Sequence, residues 1–127
     1  MALEIVENER AKNRDLPTVS VNGTLKRVLI NGRAMEIMAE RFGTEVSYVQ
    51  LLRDPAIERC MWIRPSTAEE RGARSLGSTK GSTKLVACAV VLRLIGYSEA
   101  KTASFPIVYD PQNAAFKIDM SEKEVKT

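Results

Sequence analysis

The side chains with the most chemical promise gather in one stretch, STAEERGARSLGSTKGSTK at residues 66–84. With Arg64 just before it, the region holds Arg64, Arg71, Arg74, Lys80 and Lys84 against Glu69 and Glu70. That surplus of three positive charges equals the net charge of +3 of the whole 127-residue chain, so the positive excess is local. Cations set among glycines and small hydroxyl residues can approach a polyanion closely, with side chains and backbone amides donating to phosphate oxygens. Residues Gly72-Ala73-Arg74-Ser75-Leu76-Gly77-Ser78-Thr79 also have the glycine spacing of a P-loop. Ser78, however, stands where that loop needs the lysine that reaches the β and γ phosphates, and Lys80 comes two positions late, which argues against nucleotide hydrolysis.

Other reaction chemistry is thinly provided for. The chain has no histidine, which removes Ser-His and Cys-His dyads, His-based metal sites and an imidazole base near neutral pH. Its acids are scattered through turns and charged segments, as solvated acids are, so a non-enzymatic protein with no cofactor and no metal is expected. Cys60 and Cys88 lie in apolar surroundings with no paired framework, which favours two buried thiols in a reducing cytoplasm over the alternative of a cross-link between them. The longest uncharged apolar run, LVACAVVL at 85–92, falls well short of the roughly 20 residues a membrane helix needs. The opening MALEIVENERAKNRD carries acids where a secretory signal would be basic, so a cytoplasmic protein without a membrane partner is expected.

These side chains must be positioned by short elements. VSVNGTLKRVLI at 19–30 places β-branched residues on both sides of Asn22-Gly23, the signal of a hairpin with a type I′ turn. Asn31-Gly32 ends the second strand, and the spacing of Met35, Met38, Ala39 and Phe42 predicts a helix over 34–42, with Arg33, Glu36 and Glu40 opposite and Gly43 as its stop. EVSYVQLLR and IERCMWIRP then form two strands joined through Asp54-Pro55, a pair suited to a type I turn. Ile57, Met61 and Ile63 share one face with Arg59, and Cys60 and Trp62 share the other, so that strand is substantially apolar on both sides and is expected to be central or sandwiched.

The second half repeats this order. LVACAVVLRLI ends at Gly96 as the first helix ends at Gly43, and IVYDPQNAAFKIDM repeats the Asp-Pro hairpin through Asp110-Pro111. An α+β domain of two helix-plus-hairpin units follows, one over 18–65 and one over 85–120, joined by a basic Gly/Ser/Thr loop over 66–84. A charged tail over 1–17 and a short C-terminal tail over 121–127 flank this single compact domain. The run at 85–95 is rich in β-branched residues, which leaves a buried strand as its alternative.

Over residues 19–65, GTLKRVLINGRAMEIMAERFG followed by VSYVQLLRDPAIERCMWIRP resembles the AbrB/MraZ-like swapped-hairpin domains. The resemblance implies a small β-barrel-like or swapped-hairpin fold, completed in one chain or as a homo-oligomer. It also implies DNA binding, with a role in transcription regulation, through basic residues near the first strands; by position these are Lys26, Arg27 and Arg33. Asn31-Gly32 stands where that family commonly has a proline. Nucleic acid is therefore the leading partner, with Lys26, Arg27, Arg33, Arg64, Arg71, Arg74, Lys80 and Lys84 as phosphate contacts. The alternative is a protein-interaction or assembly module whose hairpins supply edge strands to a partner.

Overall fold

The computed structural model describes residues 16–79, 81–98 and 101–121. The first hairpin forms from β1 (Thr18–Asn22) and β2 (Arg27–Ile30), with Val19 and Val21 facing inward beside Val28 and Ile30. Its turn differs from the expected two-residue type. Asn22 and Arg27 are still paired, so the turn spans 23–26. The Asn22 side chain accepts from the Thr24 and Leu25 amides, at 2.9 and 2.8 Å, and Lys26, not Gly23, takes the positive φ of 55°. An Asx side chain bonding its own turn competes with the I′ geometry that Asn-Gly otherwise favours.

Helix α1 (Gly32–Phe42) starts two residues earlier than the spacing predicts. Asn31, rather than merely ending a strand, is its N-cap: Oδ1 accepts from the Ala34 amide at 2.8 Å, while Gly43 closes the helix in a left-handed conformation. Ala34 and Met38 are fully buried, and Met35, Ile37, Ala39 and Phe42 are half-buried around them. The chain continues through β3 (Tyr48–Leu52) and β4 (Cys60–Ser66), paired antiparallel. Between them Asp54 accepts from the Ala56 amide through its side chain and from Ile57 through its carbonyl, the turn that Asp-Pro predicts.

The segment expected as a free loop contains β5 (Arg74–Ser75) and β6 (Gly77–Ser78). The run at 85–95 is both strand and helix: β7 (Lys84–Ala87) comes first, then a short α2 (Ala89–Leu94). Last come β8 (Ala103–Pro106), β9 (Val108–Asp110) and β10 (Ala115–Asp119).

These strands make two antiparallel five-stranded sheets, ordered β6-β7-β2-β1-β8 and β5-β3-β4-β10-β9. The expected α+β, barrel-like or swapped-hairpin domain of two helix-plus-hairpin units is thereby corrected. The described residues are mostly β, with two short helices, and their sheets do not close into a barrel. Nor is either half a unit, because each gives strands to both sheets: β1 pairs with β8, β3 with β5, β2 with β7 and β4 with β10. The chain passes from sheet to sheet three times, through α1 between β2 and β3 and at two tight corners, Leu76 between β5 and β6 and Ile107 between β8 and β9. Backbone bonds hold both corners, from Leu76 N–H to the Ser47 carbonyl and from Ile107 N–H to the Pro17 carbonyl.

The inner faces of both sheets and one side of each helix share a single core. Val19, Ile30 and Val86 meet Val49, Ile63, Phe116 and Ile118, with Met38 and Ile95 closing the cluster. Burying each such side chain stabilises the fold by about 1.5–3 kcal/mol. Strand β4 is indeed buried on both sides: Cys60 and Trp62 form a second apolar cluster on the outer face with Ala115 and Leu52. Cys60 and Cys88 are free and buried. No helix among the described residues is long and apolar enough to cross a membrane.

Candidate functional site

Three of the basic residues singled out by sequence converge at one end of β7. Lys26 is exposed in the first turn, where its carbonyl accepts from the Cys88 amide at 3.0 Å. Arg27 lies opposite Ala87 across the β2–β7 ladder. Arg74, from the far edge of the other sheet, donates Nη1 to the Ala87 carbonyl at 3.3 Å. Burial pushes the Cys88 thiol up to about 11 against the opposing effect of nearby Arg74, which leaves the thiol protonated at neutral pH and unreactive. A groove of about 330 Å³ beside this cluster is lined by Lys26 and Arg93 together with Val90 and Tyr97.

The remaining bases stand elsewhere. Lys84 sits at the opposite end of β7, across from Ile30, with Nζ 3.5 Å from Ser78 Oγ. Arg33 is in the first turn of α1, its Nη1 paired with Glu36 Oε2 at 3.0 Å. Arg64 is half-buried on the outer face of the β3–β4–β10 sheet, where it donates Nη2 to the Asn113 carbonyl at 2.8 Å. Arg71 is exposed, and its carbonyl accepts from Gln50, the cross-strand neighbour of Arg64, at 2.8 Å. Lys80 lies outside the described residues. The eight candidates thus do not form one surface. Residues 72–79, with their P-loop glycine spacing, are largely extended edge strands and offer no loop-to-helix phosphate cradle. Among the described residues no group of three or more His, Cys, Asp or Glu could hold a metal ion.

A second site, not foreseen from the sequence, lies between the two Asp-Pro turns on the outer face of the β3–β4–β10 sheet. Leu52, Trp62 and Ala115 line a cavity of about 230 Å³ with Arg53, Arg64 and Asn113, and Asp54 and Pro55 complete one rim. Trp62 is central to that face, paired across the ladders with Leu52 on one side and Lys117 on the other. Its indole Nε1–H donates to Asp110 Oδ2 at 2.9 Å, and the Lys117 ammonium sits 5.8 Å from the ring centroid. Asp110 also accepts from the Asn113 side chain at 2.6 Å and the Gln112 amide at 3.1 Å. The Asn113 amide and the indole hold the Asp110 carboxyl below its ordinary range, so the acid that orients Trp62 stays ionised.

Arg64 is shared with a further cavity of about 270 Å³ that also contains Tyr109 and Arg41, whose guanidinium lies 3.9 Å from the Tyr109 ring centroid. Tyr109 pairs with the core-facing Phe116 and packs against the main core, so this cavity opens on the other side of the sheet from Trp62. The available signals were the lone tryptophan on a two-sided apolar strand and the pair of Asp-Pro turns; that both turns flank one cavity depends on β4 pairing with β10. No family model matches the chain, and neither does any curated protein or solved structure.

Proposed function

We propose that the protein is a non-enzymatic nucleic-acid-binding domain that contacts phosphates through Lys26, Arg27 and Arg74. The supporting observation is their convergence at Ala87–Cys88 from two separate segments, the first hairpin and β5. These cations are not neutralised internally: among the described residues the ion pair is Arg33–Glu36, and Arg74 bonds a neutral carbonyl. Strand pairing fixes the backbone that carries them, so little ordering would be needed on binding. Transcription regulation would follow from selective duplex binding. A cytoplasmic location belongs to this reading and accords with two free thiols.

The test is fluorescence anisotropy with labelled duplex and single-stranded oligonucleotides across a salt series. Replacing Lys26, Arg27 and Arg74 together by Ala should weaken binding similarly on all sequences. On duplex DNA it should flatten the dependence of log K on log salt by about 2.7, roughly 0.9 for each lost phosphate contact. Arg33→Ala should matter less, because Glu36 already compensates that charge. Absence of binding at low salt, or unchanged affinity in the triple variant with its fold intact, overturns the proposal.

A further inference from the structure

We propose that the cavity between the two Asp-Pro turns is a subsite for one unpaired nucleotide of a single strand, with its base against Trp62 and its phosphate on Arg53 and Arg64. This rests on the nucleic-acid reading and adds a preference that the Lys26–Arg27–Arg74 cluster does not supply. Size is the first support. At about 230 Å³ the cavity falls below the roughly 300–1,000 Å³ of sites that hold drug-sized ligands, which suits a single ring system rather than a whole cofactor.

Chemistry narrows the ligand further. Leu52 and the exposed edge of Trp62, an indole 7% exposed, line the cavity together with the Arg53 and Arg64 side chains, so the complementary ligand has a flat apolar body and an anionic end. Arg53 is exposed and without an ion pair among the described residues. Two acids lie close, but both carboxylates are engaged: Asp54 by the Ala56 amide, Asp110 by Gln112, Asn113 and Trp62. The phosphate is therefore placed on the Arg53 side of the cavity, where the exposed guanidinium is free of an ion pair among the described residues. The lining is also set in advance, since Asp110 fixes the indole and the Asn113 carbonyl fixes Arg64. A paired, stacked base in a duplex cannot enter such a cavity, whereas an unpaired base can be splayed onto an aromatic side chain.

Trp62 is the sole tryptophan of the chain, so intrinsic fluorescence reads this cavity directly. An oligothymidylate of about a dozen nucleotides should change Trp62 emission in step with the anisotropy of the labelled strand, and a duplex of equal length should leave emission unchanged. Base–aromatic stacking is commonly worth about 10- to 100-fold in affinity. Trp62→Phe, which keeps a ring, should therefore retain more single-strand affinity than Trp62→Leu. Arg53→Ala, an exposed substitution that spares the fold, should weaken the oligothymidylate several-fold with the urea midpoint unchanged.

Oligonucleotide binding that leaves Trp62 emission and the Arg53 variant unaffected overturns this subsite while the phosphate-binding reading stands. An equal emission change with inorganic phosphate alone overturns the base-binding part. Failure of every oligonucleotide to bind overturns both proposals.

Discussion

Asn31 joins the first strand to the first helix, and its removal tests how the hairpin and helix are held together. Its Oδ1 accepts from the Ala34 amide at 2.8 Å, capping α1, and from the Thr18 amide at 3.2 Å. Its Nδ2 donates to the Leu16 carbonyl at 2.8 Å and to Thr18 Oγ1 at 2.9 Å. Loss of an N-cap alone costs about 1 kcal/mol. Three further bonds at about 0.5–1.5 kcal/mol each, with the exposed one at the low end, bring Asn31→Ala to about 2.5–4.5 kcal/mol. With a urea m-value of about 2 kcal/mol/M, a 3 kcal/mol loss moves the midpoint down by about 1.5 M. Asn31→Asp keeps both acceptor bonds and loses both donations, so it should fall between wild type and Asn31→Ala. Equilibrium urea unfolding followed by far-UV circular dichroism measures all three proteins. A loss below about 1 kcal/mol for Asn31→Ala, or an Asp variant no better than Ala, would refute the linkage and reduce Asn31 to a surface residue.

Phe42 is half-buried, so Phe42→Ala should cost about 2 kcal/mol in the same urea assay rather than the 3–5 kcal/mol typical of a full core deletion. Asp110 is held below its ordinary value near 3.8; its stabilisation is fully present above that value and fades as pH falls through the lowered one. Asp110→Asn should accordingly lower the midpoint at neutral pH and lessen its decline between about pH 5 and pH 2. Ala114 has φ 49°, a left-handed conformation that costs a residue with a Cβ about 1 kcal/mol, so Ala114→Gly should raise thermal stability by a few degrees.

How much of this was legible in the sequence follows from how local each signal is. Helix α1 could be read because its 3.6-residue spacing and Gly43 agree within eleven residues, and the buried-on-both-sides β4 because Cys60 and Trp62 alternate with Met61 and Ile63. LVACAVVLRLI could not be divided correctly. Its Val-rich run suits strand and helix alike, and the boundary is set by a distant partner: Val28 and Leu29 of β2 align Val86 and Leu85 into β7, leaving only the residues from Ala89 onward free to coil. Strands β5 and β6 have no apolar alternation at all and exist because β3 and β7 present edges to them. The site suffered the same limit. Lys26, Arg27 and Arg74 were each visible as cations, but their meeting at Ala87 depends on that β2–β7 pairing, and the cavity at Trp62 depends on β4 meeting β10.

The same topology bears on whether the hairpins recruit a protein by lending it an edge strand. Edge strands are what strand addition needs, and long flat ones invite it. Here the edges are β6 and β8 in one sheet and β5 and β9 in the other. Each is two to four residues long, and β8 ends in Pro106. Each also runs into a corner where the chain leaves for the opposite sheet, so a partner strand would lose its ladder after a few residues. The β3–β4 hairpin is interior to its sheet, which leaves β9 as the one edge that an Asp-Pro hairpin offers. Main-chain pairing over three residues gives a partner little purchase, and the cation-bearing surfaces are the larger resource for recognition. Physical complementarity therefore favours an anionic ligand met by side chains over a protein strand met by backbone.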